Sequence, residues 1–339
     1  MKRALITGGC GFIGSHLAKS LLEKGWIVDI VDNMSNGRLE NLGSINARVI
    51  LSSGLIKPLK EFWSKKHESG REENCILIIQ DDFSSPEMLE YIKADSYDII
   101  FHQAALPSVE FSIQNPSLTT FENISKTVSL FEAAAGHVER IVFASSSAVY
   151  GNTTTFPTAE SDIKNPLSPY AWQKLAIENY AKLACNLYDI DIVCLRYFNV
   201  FGPGQTGSSP YSTAIAAWCH ATKEGIPLRS DGDGYQSRDM CYIDNIVHAN
   251  ILAATSDQSR YGGFKGNCYN IGTGKSISNK KIIDYFRANY DVAVRNAPER
   301  PGDVKHTRAD IENAEYDFGY SPVVDFWEGL VKTTNWWEI

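Results

Sequence analysis

The chain has 339 residues, of which 43% are hydrophobic, so it can bury a large core in one large domain or in two smaller ones. Its formal net charge of -8 and the lack of any run of five like charges argue against a duplex nucleic-acid binder, which needs a basic surface. No apolar run reaches the ~20 residues of a membrane span and the start MKRALITGG leaves no room for a signal peptide, so we expect a cytoplasmic protein with neither a nucleic-acid nor a membrane partner.

The first two-thirds of the chain alternate short β-branched apolar runs with longer helical stretches, which is typical of βαβ units. The runs are mostly apolar throughout, as expected for strands covered on both faces. Predicted strands are 4–8, 27–32, 75–80, 98–104, 140–146 and 191–197, and predicted helices are 12–24, 86–94, 117–135 and 169–187. This pattern predicts an α/β fold with a Rossmann-type, doubly wound parallel sheet.

Two stretches break the alternation. Residues 35–74 are polar and too long for a plain connection, so we expect one or two small helices there. After Tyr197 a Gly-, Pro- and Ser-rich passage begins, and later segments mix helices with short strands. We therefore predict a dinucleotide-binding domain over 1–198 and a smaller mixed α/β substrate-binding lobe over 199–339, with a chain that can cross between them.

The seven cysteines are scattered along the chain, without a C-x-x-C pair or a His/Cys cluster at zinc spacing. We interpret them as free thiols in a reducing compartment. The sequence therefore predicts no metal site.

A glycine-rich segment, TGGCGFIG, follows the first strand and opens the first helix. Gly9, Gly11 and Gly14 match the dinucleotide fingerprint, and Gly8, Gly11 and Gly14 match its wider-spaced variant. Such glycines let the backbone approach a pyrophosphate at a helix N-terminus, although they also occur in ordinary tight turns. The sequence thus indicates a dinucleotide site that needs support from elsewhere.

That support is Asp32, which ends the second strand 18 residues after Gly14. A carboxylate there would accept hydrogen bonds from both ribose hydroxyls of the adenosine half and would repel a 2′-phosphate. The alternative is a solvated turn residue. The combination of strand, glycines and spacing favours NAD over NADP as the cofactor.

A candidate catalytic pair lies in SPYAWQKLAIENYAKL, where Tyr170 and Lys174 are one helical turn apart and share a face. An ammonium near a phenol favours the phenolate, and we expect this lysine and a nicotinamide cation to lower the pKa of Tyr170 from ~10 to ~7. Alone, a Y-x-x-x-K pair usually marks a surface helix. Here it follows Ser146, which ends a predicted strand where ligands of open parallel sheets bind.

Eight motifs carry a resemblance to a known family over nearly the whole chain. They are TGGCGFIGSHL, DDF, FHQAA, SSSAVYG, SPYAWQK, RYFNVFGP, SRDMCYIDN and RPGDVKHT. Together they resemble the extended short-chain dehydrogenase/reductases, within them the nucleotide-sugar 4-epimerases, and most of all the UDP-N-acetylglucosamine 4-epimerase branch.

The resemblance implies a set of ligand contacts. Asp82 and Phe83 would hold the adenine of NAD. The other cofactor-binding residues would be Gly8, Gly11, Phe12, Ile13, Gly14, Asp32, Asn33, Gln103, Ala104, Ala105, Asn123, Tyr170 and Lys174. Those that bind the UDP-sugar would be Ser147, Asn199, Gln205, Arg238, Arg300 and Thr307. A bidentate arginine grip suits a diphosphate, although surface ion pairing is the alternative. The resemblance also implies a homodimer through helices 117–135 and 169–187.

The resemblance further implies which reaction the site runs. Family members that dehydrate or decarboxylate the sugar carry Asp or Glu right after the catalytic hydroxyl, whereas here Ser147 and Ala148 follow Ser146. Without that acid, reversible oxidation at C4 remains, with Tyr170 as base, Ser146 bonded to O4 and hydride passing to NAD. For the serine run, the alternative is a strand-end turn whose hydroxyls cap the next loop.

The expected substrate depends on Thr307, seven residues after Arg300. In similar epimerases a tyrosine there accompanies UDP-glucose and UDP-galactose, and a small residue accompanies the N-acetylated sugars, although Thr307 could instead be a turn residue facing solvent. We therefore expect a UDP-GlcNAc/UDP-GalNAc 4-epimerase that can also take UDP-Glc/UDP-Gal. Alternatives are a UDP-hexuronate 4-epimerase, a 4,6-dehydratase and a noncatalytic NAD-binding scaffold.

Overall fold

The computed structural model describes residues 2–51, 75–94, 97–208, 212–258, 262–298 and 304–339. Eight strands form one sheet in the order β12-β7-β6-β5-β1-β2-β4-β3. They are β1 (Arg3–Thr7), β2 (Ile27–Asp32), β3 (Asn46–Leu51), β4 (Cys75–Gln80), β5 (Ile99–His102), β6 (Arg140–Ser146), β7 (Ile192–Tyr197) and β12 (Cys268–Ile271). Every neighbouring pair is parallel. The predicted Rossmann-type α/β fold is confirmed.

Helices cover both faces of this sheet because its strands are apolar on both sides. They are α1 (Phe12–Glu23), α2 (Pro86–Lys93), α3 (Val109–Gln114), α4 (Pro116–Thr120), α5 (Lys126–Ala134), α6 (Pro169–Leu187) and α8 (Ile243–Thr255). One core cluster contains Ile6 with α1 and α8, and a second contains Leu5 with α2, α5 and α6. Neighbouring side chains of β1 therefore enter opposite cores, as strand geometry requires.

The six predicted strands are confirmed to within two residues at each end, but two strands of the sheet were not predicted. The edge strand β3 lies inside the polar stretch 35–74, where we expected one or two small helices. The helical part of residues 35–51 is a single 3-10 turn at Leu39–Leu42, and residues 52–74 lie outside the described residues. Predicted helix 117–135 is interrupted by a π turn at Phe121–Ser125 between α4 and α5. Strand β12 returns late from the second half of the chain.

The second half of the chain builds three small two-stranded sheets beside the large one. Their strands are β8 (Val200–Phe201), β9 (Leu228–Asp231), β10 (Ser237–Arg238), β11 (Cys241–Tyr242), β13 (Ile277–Ser278) and β14 (Val294–Ala297). The remaining helices are α7 (Ala214–Lys223), α9 (Asn279–Asn289), α10 (Glu312–Phe318) and α11 (Phe326–Trp337). Since β12 and α8 pack on the main sheet, the chain crosses back after 199, and the two-lobe division stays a prediction. Within the described residues, none of the helices is long and apolar enough to span a membrane.

Candidate active site

Several of the predicted site residues lie at or just beyond the carboxyl ends of the parallel strands. The strand order reverses between β1 and β5, because the chain leaves β1 on one side and returns to its other side at β5. Ligands of open α/β sheets bind in the crevice at such a switch point. Gly8 follows β1 and Ala104 lies just beyond β5, so the glycine loop lies at this crevice.

The glycine loop is packed too tightly for side chains. Gly8 has φ +67, and a Cβ there would come within 2.9 Å of the Ala104 backbone. A Cβ on Gly14 would lie 2.4 Å from the carbonyl oxygen of Gly8. Helix α1 starts right after Gly11 with Phe12 and Ile13, so the N–H groups of its first turn face no acidic side chain of that turn. This cradle fits the pyrophosphate of a dinucleotide.

Asp32 is buried at the end of β2, which excludes a solvated turn residue: only 7% of it is exposed. Its carboxylate accepts hydrogen bonds from the backbone N–H of Cys10 and of Met34, both at 2.9 Å. Burial raises the pKa of Asp32, and these two hydrogen bonds act against that shift. Each oxygen keeps a free acceptor lone pair for a ribose hydroxyl. Asn33, the next residue, is exposed and caps the turn through Ser35 N–H.

The two residues expected at the adenine differ in their surroundings. The Asp82 carboxylate accepts hydrogen bonds from Lys126 Nζ at 2.6 Å and from Ser84 Oγ at 2.7 Å. Burial acts to raise the pKa of Asp82, but these bonds lower it overall. Phe83 is largely buried, edge-on to the His102 ring with centroids 4.9 Å apart. Lys126 is a neighbour of the site that the sequence analysis missed.

Asn123 and Gln103 lie at the crevice, and both side chains make hydrogen bonds within the protein. Asn123 lies in the π turn, is 2% exposed, and bonds the backbone N–H and carbonyl of Leu106 at 2.8 and 3.2 Å. It thereby fixes the backbone that follows Ala104 and Ala105. The amide of Gln103 donates to Tyr197 Oη at 3.2 Å. π turns are frequent at functional sites because they redirect single side chains.

The structure brings Ser146, Tyr170 and Lys174 together. Ser146 ends β6, its Oγ accepts a hydrogen bond from the Ala148 N–H at 3.2 Å, and its side chain acts to lower the pKa of the Tyr170 phenol. Lys174 is 3% exposed, so the pair does not mark a surface helix. Its Nζ donates to the Ala144 carbonyl at 2.7 Å and lies 5.8 Å from the centre of the Tyr170 ring.

Burial shifts the pKa values of both members of the pair. Burial raises the pKa of Tyr170 to about 12, with the Ser146 hydrogen bond acting against that shift. Burial also lowers the pKa of Lys174 to about 8, while the Glu178 carboxylate acts to raise it. The expectation that Lys174 together with the nicotinamide cation of NAD brings the pKa of Tyr170 to ~7 stays a prediction, because the value of about 12 reflects the protein's own groups alone.

On the substrate side, Asn199 and Thr307 contact each other. Asn199, with φ +24, donates from Nδ2 to Thr307 Oγ1 at 2.9 Å and to the Asp239 carbonyl at 3.1 Å. The Asp239 N–H also donates to Thr307 Oγ1, at 3.0 Å. Thr307 is half-buried, and its hydroxyl is held by two donors, so it is not a turn residue facing solvent.

The Asp239 carboxylate is a buried hub that the sequence analysis missed. It is fully buried and accepts hydrogen bonds from the N–H groups of Thr273, Gly274 and Ala309 at 2.8 to 3.0 Å. These bonds tie the loop after β12 to the segment that carries Thr307. The family resemblance implies a phosphate contact for the neighbouring Arg238, but no spacing in the sequence indicates the role of Asp239.

The other predicted substrate residues are less closely grouped. Arg238 Nη1 donates to the Lys305 carbonyl at 2.8 Å. Gln205 donates to the Val200 carbonyl at 3.0 Å, and Ser147 is half-buried at the start of a 3-10 turn. Arg300 lies outside the described residues. The contacts of these residues with a sugar nucleotide stay predictions.

Known proteins resemble this chain over most of its length. Residues 4–272 match the model of the NAD dependent epimerase/dehydratase family. A putative UDP-glucose 4-epimerase of Methanocaldococcus jannaschii is 32% identical over 337 residues, which are 98% of this chain and 97% of that relative.

Solved structures resemble the chain over its whole length. The UDP-N-acetylglucosamine 4-epimerase from Methanobrevibacter ruminantium M1, in complex with UDP-N-acetylmuramic acid, has a TM-score of 0.84 at 36% identity and covers 99% of this chain and 98% of its own. The UDP-glucuronic acid 4-epimerase from Bacillus cereus, in complex with UDP-glucuronic acid and NAD, has a TM-score of 0.79 at 27% identity, with 99% of both chains covered.

Proposed function

The chain belongs to the NAD dependent epimerase/dehydratase family and is an NAD-dependent UDP-sugar 4-epimerase, and we propose that its substrates are UDP-GlcNAc and UDP-GalNAc. UDP-Glc and UDP-Gal would be accepted as well, since they differ only in carrying a smaller hydroxyl at C2 in place of the acetamido group. The observation that carries this proposal is the place of Thr307 in the substrate-side cluster with Asn199 and Asp239.

Two hydrogen bonds to Thr307 Oγ1 support this substrate. They fix the short side chain against Asn199 and Asp239, so it cannot swing out of the cluster. Where similar epimerases carry a tyrosine ring, the shorter Thr307 side chain would leave room for an acetamido group. The structural neighbour named as a UDP-N-acetylglucosamine 4-epimerase agrees with that choice.

The residues that would hold NAD are those of the tight glycine loop, Asp32 and the crevice after β5. The first-turn N–H groups of α1 would bind the pyrophosphate, and the Asp32 carboxylate would accept from the ribose hydroxyls. When bound, NAD supplies the hydride acceptor, the returning hydride and a positive charge. Lys174 would stay protonated near the nicotinamide ring of NAD, in a site that excludes water.

The mechanism assigns each catalytic side chain one task. Tyr170 Oη takes the proton of the sugar O4 as the C4–H bond breaks and the C4 carbonyl forms, and Ser146 Oγ bonds that oxygen throughout. Burial raises the pKa of the Tyr170 phenol to about 12, so a positive charge close to the phenol is needed before it ionises and acts as the base. The 4-keto sugar turns over, and Tyr170 returns the proton when C4 is reduced on its other face.

The residues after Ser146 restrict the chemistry to C4. A dehydration needs a side chain that protonates the leaving hydroxyl, and Ser147 and Ala148 offer none. The backbone N–H of Ala148 donates a hydrogen bond to Ser146 Oγ. Epimerisation at C4 needs only the proton that Tyr170 carries.

A homodimer through one helical face is the second part of the proposal. α3, α6 and the π turn expose large apolar side chains; Ile113 is 59% exposed, Phe121 57%, Trp172 59% and Leu187 62%. Side chains this large on packed helices are typical of a face that another protein surface covers. By the family resemblance, the second copy of this chain is the partner, and two helices from each copy would pack together.

Tyr170→Phe tests the base. The change removes only the phenol oxygen, so turnover should fall by about 10²- to 10⁴-fold, while folding and bound NAD persist. Tyr180→Phe, on the same helix α6, is the matched control and should keep wild-type turnover. A Tyr170→Phe enzyme with more than about a tenth of wild-type kcat would move the proton to another group.

Thr307→Tyr tests the substrate. The ring would fill the volume of the acetamido group, and overpacking of about 1 to 3 kcal/mol predicts a 10- to 100-fold loss of kcat/KM for the N-acetylated pair relative to UDP-Glc/UDP-Gal. Thr307→Ser keeps the acceptor for Asn199 and Asp239 and serves as the control. An unchanged ratio of the two kcat/KM values removes Thr307 from the pocket, and wild-type activity on a UDP-hexuronate alone refutes the proposed substrate.

Trp172→Glu tests the interface. A charge in the centre of the apolar face should convert the dimer to a monomer in sedimentation or light scattering, because a buried unpaired charge is costly. Trp336→Glu places the same charge on another exposed tryptophan, 51% exposed on α11, and should leave the dimer intact. A wild-type monomer, or equal effects of both variants, would contradict the proposed interface.

A further inference from the structure

A buried ion pair lies directly behind the active site. Arg196 on β7 donates from Nε to Glu178 Oε1 at 2.9 Å and from Nη2 to Glu178 Oε2 at 2.7 Å. The side chains are only 4% and 3% exposed. Burying an ion pair costs desolvation free energy that can exceed the electrostatic gain. A contribution to stability therefore does not by itself account for this pair.

The pair reaches Ser146 from both sides along the chain. Before it, Ser145 Oγ donates to Glu178 Oε1 at 2.5 Å. After it, Arg196 Nη1 donates to Tyr150 Oη at 2.7 Å, and Tyr150 closes the 3-10 turn that Ser146 caps. Tyr150 Oη in turn donates to Asn270 Oδ1 at 2.6 Å. The catalytic hydroxyl thus lies between two anchors that share one ion pair.

The pair also reaches Lys174. Glu178 follows Lys174 by one turn of α6, so the two side chains lie on the same face. We propose that Glu178 and Arg196 are positioning residues for the epimerisation: their ion pair holds the end of β6 that carries Ser146 in register with the helix that carries Tyr170 and Lys174. This proposal rests on the proposed catalytic roles of Ser146, Tyr170 and Lys174.

The charges around Lys174 give the proposal a second consequence. The titratable groups that face it are Tyr170 and Glu178 on α6, His102 on β5 and Cys194 on β7, with Arg196 bonded to Glu178. Burial lowers the pKa of His102 to about 3 and raises the pKa of Tyr170 to about 12, so both are neutral at pH 7. A hydrogen bond with Cys268, together with burial, raises the pKa of the Cys194 thiol. Glu178 therefore supplies the negative charge that favours the ammonium of Lys174.

Three variants test the proposal on the holoenzyme. Ser145→Ala removes one anchor and leaves the ion pair, and it should lower kcat about 10- to 100-fold with KM unchanged, as small misplacements of catalytic groups do. Glu178→Gln should lower kcat at least as much. It should also move the alkaline limb of kcat to lower pH, because Lys174 then loses its proton at lower pH. The alkaline limb of Ser145→Ala should stay at its wild-type pH.

Asp191→Asn is the matched control. Asp191 accepts from Arg140 Nε at 2.7 Å, and this pair joins the same strands β6 and β7 at their other ends. It should lower the thermal midpoint without changing the pH profile. Bound NAD and thermal midpoint are measured for every variant; if Glu178→Gln does not fold, Ser145→Ala decides alone.

The assay uses both the N-acetylated and the plain UDP-hexose pairs, and every variant is measured on whichever pair the wild type converts. Activity on the plain pair alone would refute the proposed substrate and leave this test intact. Wild-type kcat in Ser145→Ala would overturn the positioning role. So would a Glu178→Gln enzyme whose alkaline limb stays at the wild-type pH.

Discussion

The parallel pairing of eight strands is the constraint on which the site depends. Since all strands point the same way, their carboxyl ends lie at one edge, and Gly8, Asp32, Ala104 and Ser146 meet there although nearly 140 residues separate the first from the last. A register shift of one residue in β6 would turn the Ser146 side chain to the opposite face of the sheet. Precise pairing of Ser146 with Tyr197 on β7 is therefore a condition for the chemistry.

Burial both supports the site and sets what it requires. Burial disfavours the charged form of both Tyr170 and Lys174, because it raises the pKa of the first to about 12 and lowers the pKa of the second to about 8. The interior in which a phenol resists ionisation is also one in which charges act strongly on each other. The phenolate of Tyr170 therefore depends on positive charge nearby, and Glu178, whose own desolvation the Arg196 guanidinium offsets, acts to keep Lys174 protonated.

Much of this could be predicted from the sequence, because strands covered on both faces are apolar runs and glycine loops have fixed spacing. The six strands, the glycine cradle, Asp32 and the meeting of Ser146 with Tyr170 and Lys174 follow from such local patterns. β3 could not be predicted, because an edge strand in a polar stretch lacks a continuous apolar run. β12 joins the sheet only after more than 70 residues beyond β7, and no local pattern encodes that pairing.

The polar interior was also beyond prediction. Glu178, Arg196 and Asp239 look like surface charges in the sequence, and only the tertiary structure shows them buried and bonded. The pKa of Tyr170 also depends on features that a helical spacing does not show, namely its burial and the Ala144 carbonyl that accepts a hydrogen bond from Lys174. Local sequence patterns indicate which residues contact each other, whereas the pKa values of those residues depend on how deeply they are buried.

The central claim is that hydrogen leaves C4 of a UDP-sugar as hydride and returns to the same carbon. UDP-GlcNAc carrying deuterium at C4 tests it most directly, with the UDP-GalNAc product examined by NMR and mass spectrometry in ordinary water. The account predicts that the product keeps its deuterium at C4, because the hydride never exchanges with solvent. Loss of the deuterium to water, or solvent hydrogen at C5, would contradict it.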